Sequence, residues 1–252
     1  MDAVILAVVE GLTEFLPVSS TGHTILAAVL LNIGQTPFVK SFELSLEFGS
    51  ILAVLVLYWR YFLDIHVLKR LIVAFIPTGV VGLLIYPFFK DILFGNEQVV
   101  LWALLLGGIA IILFELAYKE RYEIDNMSKI PYRYCFLIGV FQSFSVIPGL
   151  SRSAPTIMGG LFLGMKRQTI VLFSFLLAVP TMIAASGYDL VMSINQFSSG
   201  DVTLLLVGFV TSFLVAMPAI KFFLDYVRKH SFMPFGVYRI VLVAVFYFFV
   251  IL

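Results

Sequence analysis

The chain has 252 residues, of which 61% are hydrophobic and 12% charged, with a formal net charge of +1. A soluble domain is nearer half apolar and a quarter charged, so this composition describes a polytopic membrane protein, and the near-neutral balance gives no ground for nucleic-acid binding. Cys135 is the only cysteine, which excludes an intramolecular disulfide and a zinc-type cysteine cluster.

The first apolar region, 2–33, starts directly after Met1 without the basic stretch and cleavage site of a signal peptide, and it is broken at Pro17. Three uninterrupted spans are predicted next, at 41–59, 71–89 and 98–117. A second broken region, 132–164, is interrupted at Pro148 and Gly149, and three further spans are predicted at 168–188, 202–223 and 235–252. Each arm of a broken region has about 15 residues, or about 22 Å of helix, which is short of a bilayer core about 30 Å thick. Both regions are therefore predicted to be re-entrant hairpins that return to the side they entered from. No low-complexity linker divides the chain, so 1–252 is read as one membrane domain.

The two broken regions resemble each other. A shift of 132 positions matches Glu10 with Gln142, Ser19 with Ser151, Ser20 with Arg152 and Thr24 with Thr156, and apolar triplets such as Leu52-Ala53-Val54 and Leu177-Ala178-Val179 follow in the same order. Each half, 1–117 and 131–252, then reads as one hairpin plus three spans. Three spans invert the second half relative to the first. One side collects Arg60, Lys69, Arg70, Lys119, Arg121, Lys129, Arg133, Lys166, Arg167, Lys221, Arg228, Lys229 and Arg239, and the other only Lys40 and Lys90. The basic side is cytoplasmic by the positive-inside rule, so both termini lie outside. The predicted fold is all-α: an inverted-topology repeat of six transmembrane helices and two re-entrant hairpins. In such proteins the tips of broken helices line a site near the midplane, and "LPVSSTGH" and "IPGLSRSAPT" are predicted to face each other.

The charges at these tips carry the chemistry. Glu10 and Glu14 are four residues apart and share a helix face. Inside a membrane each unpaired charge costs about 2.5–3.5 kcal/mol, so two glutamates and Arg152 cost about 8–10 kcal/mol, comparable with the whole stability of a typical fold, about 5–15 kcal/mol. One reading is a structural Glu–Arg pair tying the hairpins together. The other is a pocket for an anion plus a divalent cation, with carboxylates as ligands for Mg²⁺ or Ca²⁺ and Arg152 as a donor fork suited to phosphate. Ser19, Ser20 and Thr21 stand where the second arm begins, and Ser151 and Ser153 repeat the arrangement. One of the first three is expected to cap that arm, and helix N-termini are anion sites. His23 lies one turn beyond Ser20 and is read as an acid/base candidate. Glu43 and Glu47 repeat the four-residue spacing at the start of the next span. Glu43 is expected to cap it, and Glu47 and Gln142 are candidate pocket residues. Glu115, Asp189 and Asp225 are expected at the interface, and Gly107-Gly108 and Gly159-Gly160 mark close helix contacts.

"VVEGLTEFLPVSSTGH" and "PGLSRSAPT", with "FGSILAV" and "FSFLLAVP", resemble the undecaprenyl-diphosphate phosphatase family associated with bacitracin resistance, from end to end of the chain. The resemblance implies a membrane hydrolase of polyprenyl diphosphate, whose product carries cell-wall glycans, with an inverted-repeat fold, a homodimer and dependence on Mg²⁺ or Ca²⁺. Its functional residues fall on Glu10, Glu14, Ser20, Thr21, His23 and Arg152, with Ser19, Ser151 and Ser153 nearby. The chain departs from the family's pattern at Glu47, where Gln is usual, which adds negative charge to an anion site. Together these point to a diphosphate entering from the outer leaflet, Ser20 attacking the terminal phosphorus, and Glu14 or His23 taking its proton. Direct attack by metal-bound water is the competing route. A polyprenyl-phosphate flippase using the same pocket is the alternative function, because fold does not fix function.

Overall fold

The computed structural model describes residues 1–34, 36–93, 97–119, 124–193 and 199–251. It contains ten α-helices: α1 (Asp2–Thr13), α2 (Ser20–Leu30), α3 (Pro37–Leu63), α4 (Ile65–Leu93), α5 (Glu97–Ala117), α6 (Tyr132–Ser143), α7 (Ser153–Phe162), α8 (Arg167–Ser193), α9 (Ser199–Tyr226) and α10 (Met233–Phe246). Among the described residues there is no strand, only a single bridge between Ile124 and Met165. Among the described residues five helices carry stretches long and apolar enough to cross a membrane: Phe38–Leu63, Ile65–Leu84, Glu97–Ala117, Arg167–Ala184 and Asp201–Tyr226. These match five of the six predicted spans. The sixth is α10, whose 14 α-helical residues run on into the π-helical stretch Tyr247–Ile251, and its apolar part is shorter than the other five.

The broken regions differ in kind from these long helices. Their arms α1, α2, α6 and α7 have 12, 11, 12 and 10 residues, or about 15–18 Å each at 1.5 Å per residue. Pro17 and the Pro148-Gly149 pair fall in the two breaks, where proline removes a backbone donor and glycine allows the positive φ of 90° found at Gly149.

Glycines set the closest helix approaches. A Cβ on Gly11 would meet the Ser212 carbonyl of α9 at 2.7 Å, and one on Gly108 would meet the Gly236 carbonyl of α10 at 2.8 Å. Gly139 of α6 lies against the Ala74 carbonyl of α4, and Gly159 and Gly160 lie against Phe141 and Ile170. The core is aliphatic and aromatic around α8, where Phe173, Phe175, Leu176 and Leu177 are fully buried. Leu83, Leu113, Leu206 and Phe222 are exposed on the outer surface, as a lipid solvent allows.

At one end the loops predicted to be cytoplasmic gather together. Asp64, between α3 and α4, accepts hydrogen bonds from the His66 N–H (2.8 Å) and the Ser128 hydroxyl (2.9 Å), which hold its carboxyl below the usual carboxylate range. Arg70 Nε donates to the Ile130 carbonyl (2.7 Å), and Ile124 is bonded to the α7–α8 turn, donating its N–H to the Gly164 carbonyl (3.2 Å) and accepting from the Lys166 N–H (2.9 Å). Arg121 lies outside the described residues.

Two expectations change here, and a third gains its partners. Glu115, near the end of α5, is enclosed: its carboxylate is only 5% exposed, accepts two hydrogen bonds from Arg167 (2.5 and 2.9 Å) and a third from the Phe232 N–H (2.9 Å), and so ties α5, α8 and the start of α10. Thr36, not Glu43, caps α3, accepting from the Val39 N–H at 3.2 Å. Arg239 is not among the peripheral basic residues but is completely buried. Positive-inside counting sees a charge near a span end and cannot see that a socket encloses it.

Candidate active site

Tip one begins where α1 stops. Glu14 keeps helical backbone angles, and its N–H still donates to the Glu10 carbonyl, so the two carboxylates stay on one face. Phe15 to Val18 then turn the chain. Ser19 takes a φ of 71°, rare for a side-chain-bearing residue, and its Oγ caps α2 by accepting from the Gly22 N–H at 3.3 Å. Tip two has the same construction. Ser151, at φ 79°, accepts from the Ala154 N–H at 3.4 Å and lies 3.1 Å from Ser153 Oγ, at the start of α7. The left-handed Ser19 and Ser151 are the pair that the 132-residue shift superimposes.

The tips meet. Arg152 Nη2 donates to Glu14 Oε1 at 2.9 Å, and the Ser20 hydroxyl donates to Glu14 Oε2. Ser153 Oγ donates to the Leu16 carbonyl at 3.2 Å, which stitches one tip to the other. Arg152 Nη1 is fixed on the Ser174 carbonyl of α8 at 2.9 Å, and its guanidinium lies over the Phe15 ring. Both partners of the ion pair are largely enclosed, with side chains 11% and 4% exposed. Arg152 Nε is buried and makes no hydrogen bond. A buried donor without a partner is costly, and here it lies at the start of a helix where an anion is favoured.

Glu10 is 3% exposed and within hydrogen-bonding range of the Glu14 carboxyl, with Glu43 and Glu47 close enough to act on it electrostatically. Two carboxyl groups at that range must share a proton or a cation. Glu10 Oε1 is buried with no hydrogen-bond partner. Oxygen-only donors with an unsatisfied lone pair fit Mg²⁺ or Ca²⁺.

The remaining predicted site residues lie as follows. Thr21 is half-buried in the first turn of α2. His23 is buried, and both its ring nitrogens are engaged: Nδ1 is 2.7 Å from the Ser19 carbonyl, so it carries the proton, and Nε2 is left to accept from the Tyr238 hydroxyl at 2.8 Å. Gln142 is fully buried, and its amide is taken up by threonines: Nε2 donates to Thr78 (3.1 Å) and Thr181 (3.0 Å), and Oε1 accepts from Thr156 (3.4 Å). Reading the sequence missed Ser174, which contributes only a backbone carbonyl, and Tyr238 and Arg239 of α10. An unusual basic residue inside an apolar run was the one signal available for Arg239.

The model of the family described as bacitracin resistance protein BacA matches residues 3–245. The chain belongs to the BacA family. Among its BacA relatives, a protein named undecaprenyl-diphosphatase from Sulfurihydrogenibium sp. (strain YO3AOP1) is 50% identical over 248 residues, covering 98% of both chains. Proteins of the same name from Aquifex aeolicus (50% identical, 96% of this chain and 94% of the relative) and Thermus thermophilus (46% identical, 98% and 96%) are similar along their whole length as well. BacA-family identity at this coverage makes the resemblance of the two tip motifs one of entire chains.

Proposed function

We infer that this protein is an integral-membrane undecaprenyl-diphosphatase, removing the terminal phosphate of a polyprenyl diphosphate to leave the monophosphate carrier lipid. The observation that carries the reading is one carboxylate with two partners: Glu14 accepts the Ser20 proton on one oxygen and Arg152 on the other. A hydroxyl bonded to a carboxylate base is an activated nucleophile, and the arginine is held where a phosphate oxygen would gain charge.

In the proposed reaction Ser20 Oγ attacks the terminal phosphorus while Glu14 takes its proton. The phosphoanhydride bond breaks, and the polyprenyl monophosphate leaves with the bond's electron pair and takes up that proton from Glu14. Water then attacks the phosphoserine as the again ionised Glu14 takes one of its protons, the phosphorus–Ser20 oxygen bond breaks, and Glu14 passes the proton to the Ser20 oxygen with release of inorganic phosphate. Arg152, the N–H groups at the starts of α2 and α7, and the Ser19, Thr21, Ser151 and Ser153 hydroxyls hold the phosphate oxygens. Glu14 is better placed than His23 as base, since both His23 nitrogens are engaged elsewhere. Glu10 and Glu14 would hold Mg²⁺ or Ca²⁺. Such an ion supplies positive charge to offset the head group.

The proposal includes an inverted repeat of 1–117 and 131–252, with re-entrant hairpins α1–α2 and α6–α7, α10 as the sixth span, both termini outside, the pocket open to the outer leaflet, and a homodimer. The two halves support it by running through four helices of matching length, 12, 11, 27 and 29 residues against 12, 10, 27 and 28, while the fifth pair differs, 21 against 14. The decisive experiment is phosphate release from a C55 diphosphate lipid by the purified protein. Release is expected to stop with EDTA and to return with Mg²⁺ or Ca²⁺. No release under any metal would remove the hydrolase and leave the lipid carrier.

A further inference from the structure

We propose that the consecutive residues Tyr238 and Arg239 of α10 form a clamp that positions both tips, so that α10 is part of the catalytic apparatus although it contributes nothing to the reacting groups. This rests on the hydrolase reading of the same site.

Arg239 is 0% exposed. Among the described residues it forms no ion pair, and its Nε has no hydrogen-bond partner. Its fork instead takes backbone carbonyls: Nη2 donates to Gly149 (2.6 Å) and Ala103 (3.2 Å), and Nη1 donates to Leu150 (3.1 Å). Two of these three carbonyls are in tip two, directly before Ser151, Arg152 and Ser153. They belong to a segment that leaves helical geometry at Gly149 and so cannot bond within a helix. Gly107 makes the socket, since a Cβ there would strike Arg239 Nη2 at 2.6 Å.

A buried charge without a counter-ion is an expensive way to fill space, and a leucine would pack at less cost. The charge is accounted for if the carbonyls it holds must stay where they are. One residue earlier, Tyr238 stacks on His23 and donates its hydroxyl to Nε2 (2.8 Å), while His23 Nδ1–H donates to the carbonyl of Ser19, the cap of tip one. One helical step therefore grips both tips, and their relative position decides whether Arg152 and Ser20 reach the same carboxylate.

The test combines kinetics with amide hydrogen exchange on the whole protein in detergent, using Arg239→Lys and Tyr238→Phe. Lysine keeps the charge but loses the planar fork. Arg239→Lys is expected to lower kcat/KM at least about tenfold, comparable to losing a positioned group. Exchange should accelerate at 149–154 while α5 and α10 stay protected and the melting temperature changes little. Tyr238→Phe removes one hydroxyl from a half-exposed ring and leaves the fold intact. It is expected to speed exchange at 19–23 and cost a few-fold in kcat. Unchanged exchange at both tips overturns the clamp. So does full activity in both variants, or a general loss of protection along α5 and α10, which would make Arg239 ordinary packing. If Arg239→Lys does not fold, Tyr238→Phe decides alone. Absence of phosphate release by the parent protein would instead defeat the hydrolase reading, and the exchange data would still judge the clamp.

Discussion

The 132-residue shift matches Glu10 with Gln142, both inside short helices and both buried, yet the molecule treats them oppositely. Gln142 donates both amide N–H groups to threonine hydroxyls and has a third hydroxyl, that of Thr156, 3.4 Å from its oxygen. Glu10 keeps one carboxylate oxygen with no hydrogen-bond partner and faces a second carboxyl group. A buried polar group is ordinarily satisfied. Where one copy of a motif is satisfied and the other is not, the unsatisfied copy is the one able to take a ligand. Ser20 and Arg152, the next matched pair, divide similarly: tip one supplies the hydroxyl and the acids, and tip two supplies the positive charge. The site is assembled from unlike residues on like scaffolds.

The largest expected effect is at Glu14, the group that joins the halves. Glu14→Gln keeps the shape but removes the base and the counter-charge of Arg152. It should lower kcat by about 10²–10⁴, the range for a lost general base, measured as phosphate release from the C55 diphosphate. Activity within about threefold of the parent would leave the tip contact as a structural pair. Next is Arg152. If it binds phosphate as a fork, Arg152→Lys should lose most activity and Arg152→Ala nearly all, with protein still recoverable because the acids can take up a proton or cation. A structural pair predicts instead about 3–5 kcal/mol of destabilisation in Arg152→Ala. A stable and fully active Arg152→Ala would end the phosphate-binding role. Ser20→Ala should cost at least about a hundredfold, and labelled phosphate should be trapped on the parent protein but not on this variant. Near-normal turnover in Ser20→Ala would favour direct attack by water.

How much of this could be read beforehand follows from what sequence patterns record. Charge inside an apolar run is costly wherever it falls, so Glu10, Glu14 and Arg152 stood out, and serines after a proline advertised the start of α2. The five long helices were legible by length alone. Partners across space were not. Nothing near Glu115 in the sequence marked its bidentate arginine, which is 52 positions away. Arg239 joined the peripheral basic residues because its acceptors are backbone carbonyls, which no residue letter marks. The arms of the broken regions also came out shorter than the apolar runs suggested, since the runs include the turns between them.

The Glu10 side of the comparison can be sharpened with a milder change. Glu10→Gln relieves the carboxyl–carboxyl contact and should not lower the melting temperature. It should raise the concentration of Mg²⁺ or Ca²⁺ needed for half-maximal turnover by about tenfold, as expected when one oxygen ligand loses its charge. An unchanged metal titration would place the cation elsewhere.

The smallest effect on turnover belongs to the reciprocal change, Gln142→Glu, which gives the second half the residue of the first. The threonines around this position already donate their hydroxyl protons to helix carbonyls, Thr78 to Gly139 (3.1 Å) and Thr181 to Leu177 (2.8 Å). Each has one proton to give. A carboxylate at 142 would therefore meet two acceptor oxygens where the amide had offered them two N–H groups. Either the new acid is protonated and makes one bond in place of two, or a threonine turns and abandons its carbonyl. Leaving one buried polar group unsatisfied costs about 1–3 kcal/mol, and a chain of this size loses about 2–4 °C for each kcal/mol. Gln142→Glu should therefore melt about 2–12 °C lower in detergent while kcat and KM of the folded protein stay within about threefold of the parent. If it melts normally and loses catalysis, Gln142 belongs to the site and the contrast between the two halves fails. A variant that melts lower and still turns over would show that the second half tolerates a carboxyl group that catalysis does not use.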